Sequence, residues 1–140
     1  MLLLRRTALI ILWVLAGLGV ASGAVWALTS AGVIKPLIVI SGSMEPGIMT
    51  GDLLIATKTE AADLATGDVV SLDSDLTSNL VTHRIVRIVP VGDGSFTVTM
   101  KGDNNEFEDA LDYTISGEVW KPAMQIAGAG AFVARLTTPA

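Results

Sequence analysis

The sequence predicts a mainly β fold: a small domain of antiparallel strands on an N-terminal transmembrane helix. Two patterns predict it. Thr7 to Leu28 is an apolar run without a charge. From Ala31 onward, short β-branched segments alternate with turns rich in Gly, Pro and Asp.

Arg5 and Arg6 precede the run TALIILWVLAGLGVASGAVWAL. Its length of about 22 residues gives roughly 33 Å of helix, against a hydrocarbon core of about 30 Å. The arginine pair marks the cytoplasmic side by the positive-inside rule, which puts the rest of the chain outside. Trp26 is placed to sit at an interface. A cleavable secretory signal is the other reading, with the small residues Ala21 to Ala24 as the cleavage region. Its apolar stretch is ordinarily about 7–15 residues, shorter than this one, so a retained anchor is favoured. Either way the downstream part is exported. Residues 1–30 are thus the anchor, with a helix over about 7–29 and Arg5-Arg6 cytoplasmic. The expected localisation is the cell membrane, with residues 31–121 as an extracytoplasmic β-domain.

Strands are expected over Val33 to Ser41, Leu53 to Lys58, Asp68 to Leu72, Leu80 to Val91, Phe96 to Lys101 and Tyr113 to Val119. Turn signals separate them: Pro46-Gly47, Thr50-Gly51-Asp52, Gly67-Asp68, Gly92-Asp93-Gly94 and Gly102-Asp103-Asn104-Asn105. Val91 to Ser95 reads as a hairpin tip, since Gly92 and Gly94 can take positive φ. Phe96, Val98 and Met100 alternate with Thr97, Thr99 and Lys101, which predicts one buried face. Ala61 to Ala65 reads as a short helical turn. Residues 122–140 form an apolar, Gly-rich C-terminal segment. About 13 residues separate Lys121 from Arg135, too few to span a bilayer. The segment is read as packed on the domain or lying at the membrane surface; the alternative is the approach to a second membrane helix.

Composition narrows the chemistry. The 140 residues carry 9 basic and 14 acidic side chains, a net charge of −5. That balance argues against nucleic acid as a partner, which needs a basic face. There is no cysteine, which excludes disulfides, iron–sulfur clusters and cysteine-zinc sites. The sole histidine is His83, so any imidazole chemistry must use it.

Three stretches hold reactive side chains. Ser41-Gly42-Ser43-Met44-Glu45-Pro46 follows an apolar strand. Two hydroxyls flanking a glycine suggest a division of labour, one attacking a carbonyl and the other helping a backbone N–H to stabilise the oxyanion. An ordinary turn uses the same residues. Thr82-His83-Arg84 interrupts an apolar strand, and an imidazole suits a general base at neutral pH. Parity does not settle where His83 points, because it shares a face with both Ile85 and Arg87. The run from Lys101 to Asp109 enters an acidic loop. Asp103 and Asp109 are both placed to orient His83; a solvated acidic patch is the bland reading. A calcium loop through Asp103, Asn105 and Glu108 fits the EF-hand spacing poorly.

The order of these stretches resembles the type I signal peptidases, in the endoplasmic-reticulum and archaeal branch that also occurs in Gram-positive bacteria. The matching words are SGSMEP (Ser41 to Pro46), GDLL (Gly51 to Leu54), GDVV (Gly67 to Val70), THRIV (Thr82 to Val86) and KGDNN (Lys101 to Asn105). GEVW at Gly117 to Trp120 is a looser match. The resemblance implies a Ser–His–Asp mechanism. Ser43 would be the nucleophile, His83 its base and acid, and Asp109 the favoured partner of His83. Asp103 would be the second acid of the site, structural or supporting. Ser41 and the Ser43 N–H would form the oxyanion hole. Ile40, Met44 and Ile48 would be the apolar rim that meets substrate. The implied activity is removal of signal peptides from exported preproteins after small residues, with no metal or other cofactor. The implied partners are preprotein signal peptides and the lipid bilayer. Glu106, Phe107 and Glu108 match no word of the family.

Two rivals stand beside this reading. One is a non-catalytic anchored β-module or accessory subunit of an export complex. The other is the LexA-type self-cleaving fold, which the membrane helix and the lack of a lysine at the histidine position disfavour.

Overall fold

The computed structural model describes residues 2–74 and 79–137. The last three residues of the C-terminal segment lie outside them. The chain forms two compact units, Met1–Ile34 and Lys35–Ala140.

The first unit is helix α1, Leu2–Ser30. It begins ahead of the uncharged run, because Leu2 to Arg6 are all good helix formers. The hydroxyl of Thr7 donates back to the Leu3 and Leu4 carbonyls, so this polar side chain is satisfied within the helix. The helix stops at a left-handed Gly32 (φ 68°). There the Gly32 N–H donates to Thr29 O (3.0 Å) and the Val33 N–H to Leu28 O (2.9 Å), the paired bonds of a Schellman end. Its stretch Leu3–Ser30 is long and apolar enough to cross a membrane.

The second unit is built on one antiparallel sheet. Its strands are β1 (Ile34–Ile38), β2 (Leu53–Glu60), β3 (Val69–Asp73), β4 (Leu80–Gly92), β5 (Ser95–Lys101), β6 (Tyr113–Ser116) and β7 (Glu118–Ile126). They lie in the order β1-β2-β7-β3-β4-β5-β6. A 3-10 turn, Ala61–Asp63, follows β2, and helix α2, Ala129–Thr137, follows β7. The mainly β architecture with an apolar N-terminal helix is the one the sequence predicts.

The core is made by Val70 and Leu72 of β3, Ile85 of β4, Val98 and Met100 of β5, Ile115 of β6 and Val119 of β7, closed by Ala61 and Leu64. Each large apolar side chain removed from water there contributes roughly 1.5–3 kcal/mol. The β4–β5 hairpin turns through Asp93 and Gly94, both at positive φ (52° and 71°), with Gly92 opposite Ser95. That is the backbone handedness a two-residue hairpin requires.

Three details differ from the expected pattern. The strand read as Tyr113 to Val119 is two strands, broken at Gly117 (φ 62°), and the second continues to Ile126 along β2. Thr99 is buried beside Val98 and Met100. Its hydroxyl donates to Asp112 (2.6 Å) and accepts from the Arg87 guanidinium (2.9 Å), so a polar side chain is buried without an unmet bond. Finally, the β4 register slips between Ile85 and Arg87. This bulge sends Arg87 outward while Ile85 stays buried, which resolves the parity question: His83 faces inward with Ile85.

Candidate active site

Ser43 lies in the loop between β1 and β2. Turn-forming residues keep this segment out of the sheet, and its ends are tied across its base. The Val39 N–H donates to Asp52 O (2.9 Å) and the Gly51 N–H to Val39 O (2.8 Å). The Asp52 carboxylate, nearly inaccessible, accepts from the Met49 N–H (2.9 Å), the Gln125 amide (2.6 Å) and the Gly128 N–H (2.9 Å). These donors, led by Gly128, hold its pKa below the usual carboxylate value. Gln125 also donates to Gly47 O, so the far end of β7 grips the loop at two points. Met44 is buried beneath the loop.

The loop after β5 seals the other side. The Asn104 N–H donates to Ser43 O (2.8 Å), and its side-chain amide to Gly42 O (3.1 Å). Gly102 permits this approach, since a Cβ there would stand 2.6 Å from Ser43 O and 2.7 Å from Asn105 Nδ2. The glycine of the KGDNN word therefore answers to a backbone contact with the SGSMEP word.

His83 is buried on β4, opposite Val70 of β3. Its Nε2 is 3.0 Å from Ser43 Oγ. Its Nδ1 is 2.8 Å from both carboxylate oxygens of Asp109. A carboxylate only accepts, so Nδ1 carries the proton and the neutral ring leaves Nε2 free to accept from the Ser43 hydroxyl. Asp109 is anchored by its own N–H, which donates to Met100 O at the end of β5 (2.9 Å). The Tyr113 hydroxyl donates to Asp109 Oδ2 (3.1 Å). Burial, and then the charge of Asp109, push the Tyr113 phenol up to about 12. Ser41 Oγ lies 3.3 Å from Ser43 Oγ.

The structure thus brings together Ser41, Ser43, His83 and Asp109. Asp103 stands elsewhere, on Arg84. Arg84 Nε donates to one of its oxygens (2.8 Å) and Nη2 to the other (2.6 Å), while Nη1 takes Gly67 O (2.8 Å). The guanidinium holds the Asp103 carboxyl below its usual range against a smaller opposing effect of burial, and the pairing raises the Arg84 pKa in turn. Ile40, Met44 and Ile48 line a cleft of about 660 Å³ together with Ser43 and His83. Ile40 is the most open of the three, at 85% exposure. Among the described residues no three His, Asp or Glu side chains converge as metal ligands.

Two side chains of the site carried no role in the sequence reading. Asn104 was visible inside KGDNN, but nothing local says that it holds the serine loop. Tyr113, the only tyrosine, opens a strand four residues after Asp109. That spacing was the one available signal, and its meaning depends on where the sheet places β6.

The geometry defines a class: a small β-domain on which sheet and loops set a serine, a histidine and an aspartate in one hydrogen-bonded chain. Such a chain lets a hydroxyl pass its proton to Nε2 as it attacks a carbonyl. Relatives make the class particular. The chain is 30% identical to the Signal peptidase complex catalytic subunit SEC11C of Homo sapiens over 92 residues, 66% of this chain and 47% of that protein. It is 44% identical to Signal peptidase I W of Bacillus subtilis (strain 168) over 73 residues, 51% of this chain and 37% of that protein. It is 36% identical to the SEC11 catalytic subunit of Eremothecium gossypii over 77 residues, 55% and 46% respectively. The chain spans less than half the length of these relatives. No protein-family model matches it. The resemblance to signal peptidases is shown by these relatives.

Proposed function

We propose that this protein is a membrane-bound serine endopeptidase that removes N-terminal signal peptides from exported preproteins. The carrying observation is the continuous path from Ser43 Oγ through the His83 ring to Asp109, with links of 3.0 and 2.8 Å. In the reaction, Ser43 Oγ attacks the scissile carbonyl carbon while His83 Nε2 takes its proton. The carbonyl π electrons move to oxygen, and the resulting oxyanion accepts from the Ser43 N–H and the Ser41 hydroxyl. The tetrahedral intermediate collapses, the C–N bond breaks, and His83 returns the proton to the leaving amine. A water, activated by the same nitrogen, then hydrolyses the acyl-enzyme. Asp109 keeps the ring in the tautomer that accepts at Nε2 and stabilises the imidazolium.

The cleft suits an extended peptide with small side chains beside the cut, because Ile40, Met44 and Ile48 leave apolar walls and no charge. The apolar α1 supports an anchor that keeps the enzyme where signal peptides emerge. By the arginine pair, its N-terminus is cytoplasmic and the β-domain is on the extracytoplasmic face. Ser43, His83 and Asp109 carry the chemistry, and Asp103 secures β4 through Arg84.

The test is cleavage of one preprotein by the full chain in detergent or vesicles, beside Ser43→Ala and His83→Ala. The wild type is expected to release a mature chain whose new N-terminus follows a small residue. Each variant should lose several orders of magnitude in turnover while keeping its circular dichroism spectrum. A wild type that binds the preprotein and leaves it intact would establish a binding module instead.

A further inference from the structure

We propose that Tyr113 is a positioning residue for the reaction, fixing the carboxylate of Asp109 so that it can hold the His83 ring. The inference rests on the peptidase reading above. It starts from an asymmetry of support. Ser43 is held through its carbonyl by the Asn104 N–H, and His83 is part of a long strand paired on both edges. Asp109 sits on a loop, where among the described residues its backbone is tied by the N–H to Met100 O. The last torsion of an aspartate is broad and loosely held, so one backbone bond does not fix the plane of the carboxylate.

The sheet supplies what the loop lacks. Tyr113 is the first residue of β6 and pairs with Val98 of β5, at the centre of the core. Its ring packs on that core, so the hydroxyl emerges at a point set by the strand register. From there it donates to Asp109 Oδ2. A relay therefore runs from Tyr113 through Asp109 and His83 to Ser43. Tyr113 and His83 lie on strands, and the loop member between them, Asp109, is clasped between a phenol and an imidazole. Because the phenol stays protonated throughout the working range, it remains a donor.

A cavity of about 640 Å³ opens on Tyr113, Asp109 and His83 from the side of β6 and β7. Without the hydroxyl, water from this cavity would reach Oδ2. Water satisfies the oxygen and leaves the carboxylate plane free. The effect of removal is therefore graded, not total.

The experiment is Tyr113→Phe in the full chain, which keeps the ring and deletes only the hydroxyl. Turnover of the preprotein should fall about ten- to a hundredfold in kcat, with KM changed by less than about threefold, as loss of one bond to a charged group predicts. A purely structural role would instead lower activity in step with the folded fraction. The second readout is proton NMR. With one histidine in the chain, the downfield Nδ1–H resonance has a single assignment, and it is visible whether or not the enzyme turns over. It should move or broaden in Tyr113→Phe. Unchanged kcat together with an unchanged resonance overturns the proposal. If the wild type shows no turnover, the peptidase reading fails by itself and the resonance alone decides whether Tyr113 orients Asp109. If Tyr113→Phe does not fold, 3-fluorotyrosine incorporated at this sole tyrosine, which changes the donor strength of the phenol and keeps its ring, takes its place. A smaller shift of the same resonance supports the relay, and no shift overturns it.

Discussion

Two carboxylates six residues apart, Asp103 and Asp109, occupy opposite situations. Asp103 lies at the surface with both oxygens on the Arg84 guanidinium. Asp109 is nearly buried, with both oxygens on the His83 ring and one also on a phenol. Their partners are neighbours on β4. Consecutive side chains of a strand point to opposite faces, so His83 turns into the domain and Arg84 turns out. The loop from Gly102 to Asp112 passes both faces, and each face takes one acid. What decides an acid's task here is which side of β4 it reaches, not its distance along the chain.

The largest expected effect cuts at the inner pair. Asp109→Asn replaces an oxygen that only accepts with an amide that can donate to the ring. It favours the tautomer in which Nε2 holds the proton and cannot take one from Ser43. Turnover should drop about 10³–10⁴-fold with the fold intact, measured as kcat on a preprotein alongside thermal melting. If Asp103→Asn proved the more damaging of the two, the division of labour would be reversed.

Next comes the contact between the acid loop and the nucleophile loop. Gly102→Ala forces a Cβ to within 2.6 Å of Ser43 O, a backbone atom that cannot swing aside. The two loops must part, and Ser43 moves relative to His83. A displacement near 1 Å costs on the order of 10²-fold in rate. The check is kcat together with the reaction rate of Ser43 toward a fluorophosphonate, both of which should fall. A variant with wild-type rates would mean that the loops do not need this contact.

Local pattern carried much of the fold and less of the site. The β4–β5 hairpin was legible because Gly92-Asp93-Gly94 dictates a turn of one hand, and the α1 run because a long uncharged apolar stretch has few other uses. The break at Gly117 was hidden, since one glycine in a β-branched run reads equally as a strand interior or a kink. The bulge after Ile85 was hidden too: it exists only relative to the register of β5. So was the burial of Thr99, which depends on Arg87 and Asp112 arriving from other segments. At the site, Ser43 and His83 stood out through their motif words and the scarcity of histidine. Their 3.0 Å approach spans 40 residues of sequence and has no periodic signature. The separation of Asp103 from Asp109 needed the strand parity of Arg84, and the role of Tyr113 needed the pairing of β6 with β5.

The smallest effect belongs to the outer pair. Asp103→Asn should leave turnover within about threefold of wild type and remove about 1 kcal/mol or less of stability at pH 7, because water screens a pair this exposed (27% and 44% for the two side chains). Its pH dependence gives a sharper readout. The folded-state pKa of Asp103 is lowered, chiefly by the Arg84 hydrogen bonds, below the unfolded value near 3.9. A depressed carboxylate stabilises the fold fully above the unfolded pKa, and that contribution is lost as pH falls through the folded value. Asp52 and Asp68 are lowered in the same sense, by Gly128 and by Lys121, so wild-type stability should decline on acidification below about pH 4. Urea midpoints of wild type and Asp103→Asn should therefore differ at neutral pH and converge as the acid limit is reached. A gap that widened on acidification would mean that Asp103 is protonated more readily in the folded state than in the unfolded one, and that Arg84 is not its governing partner.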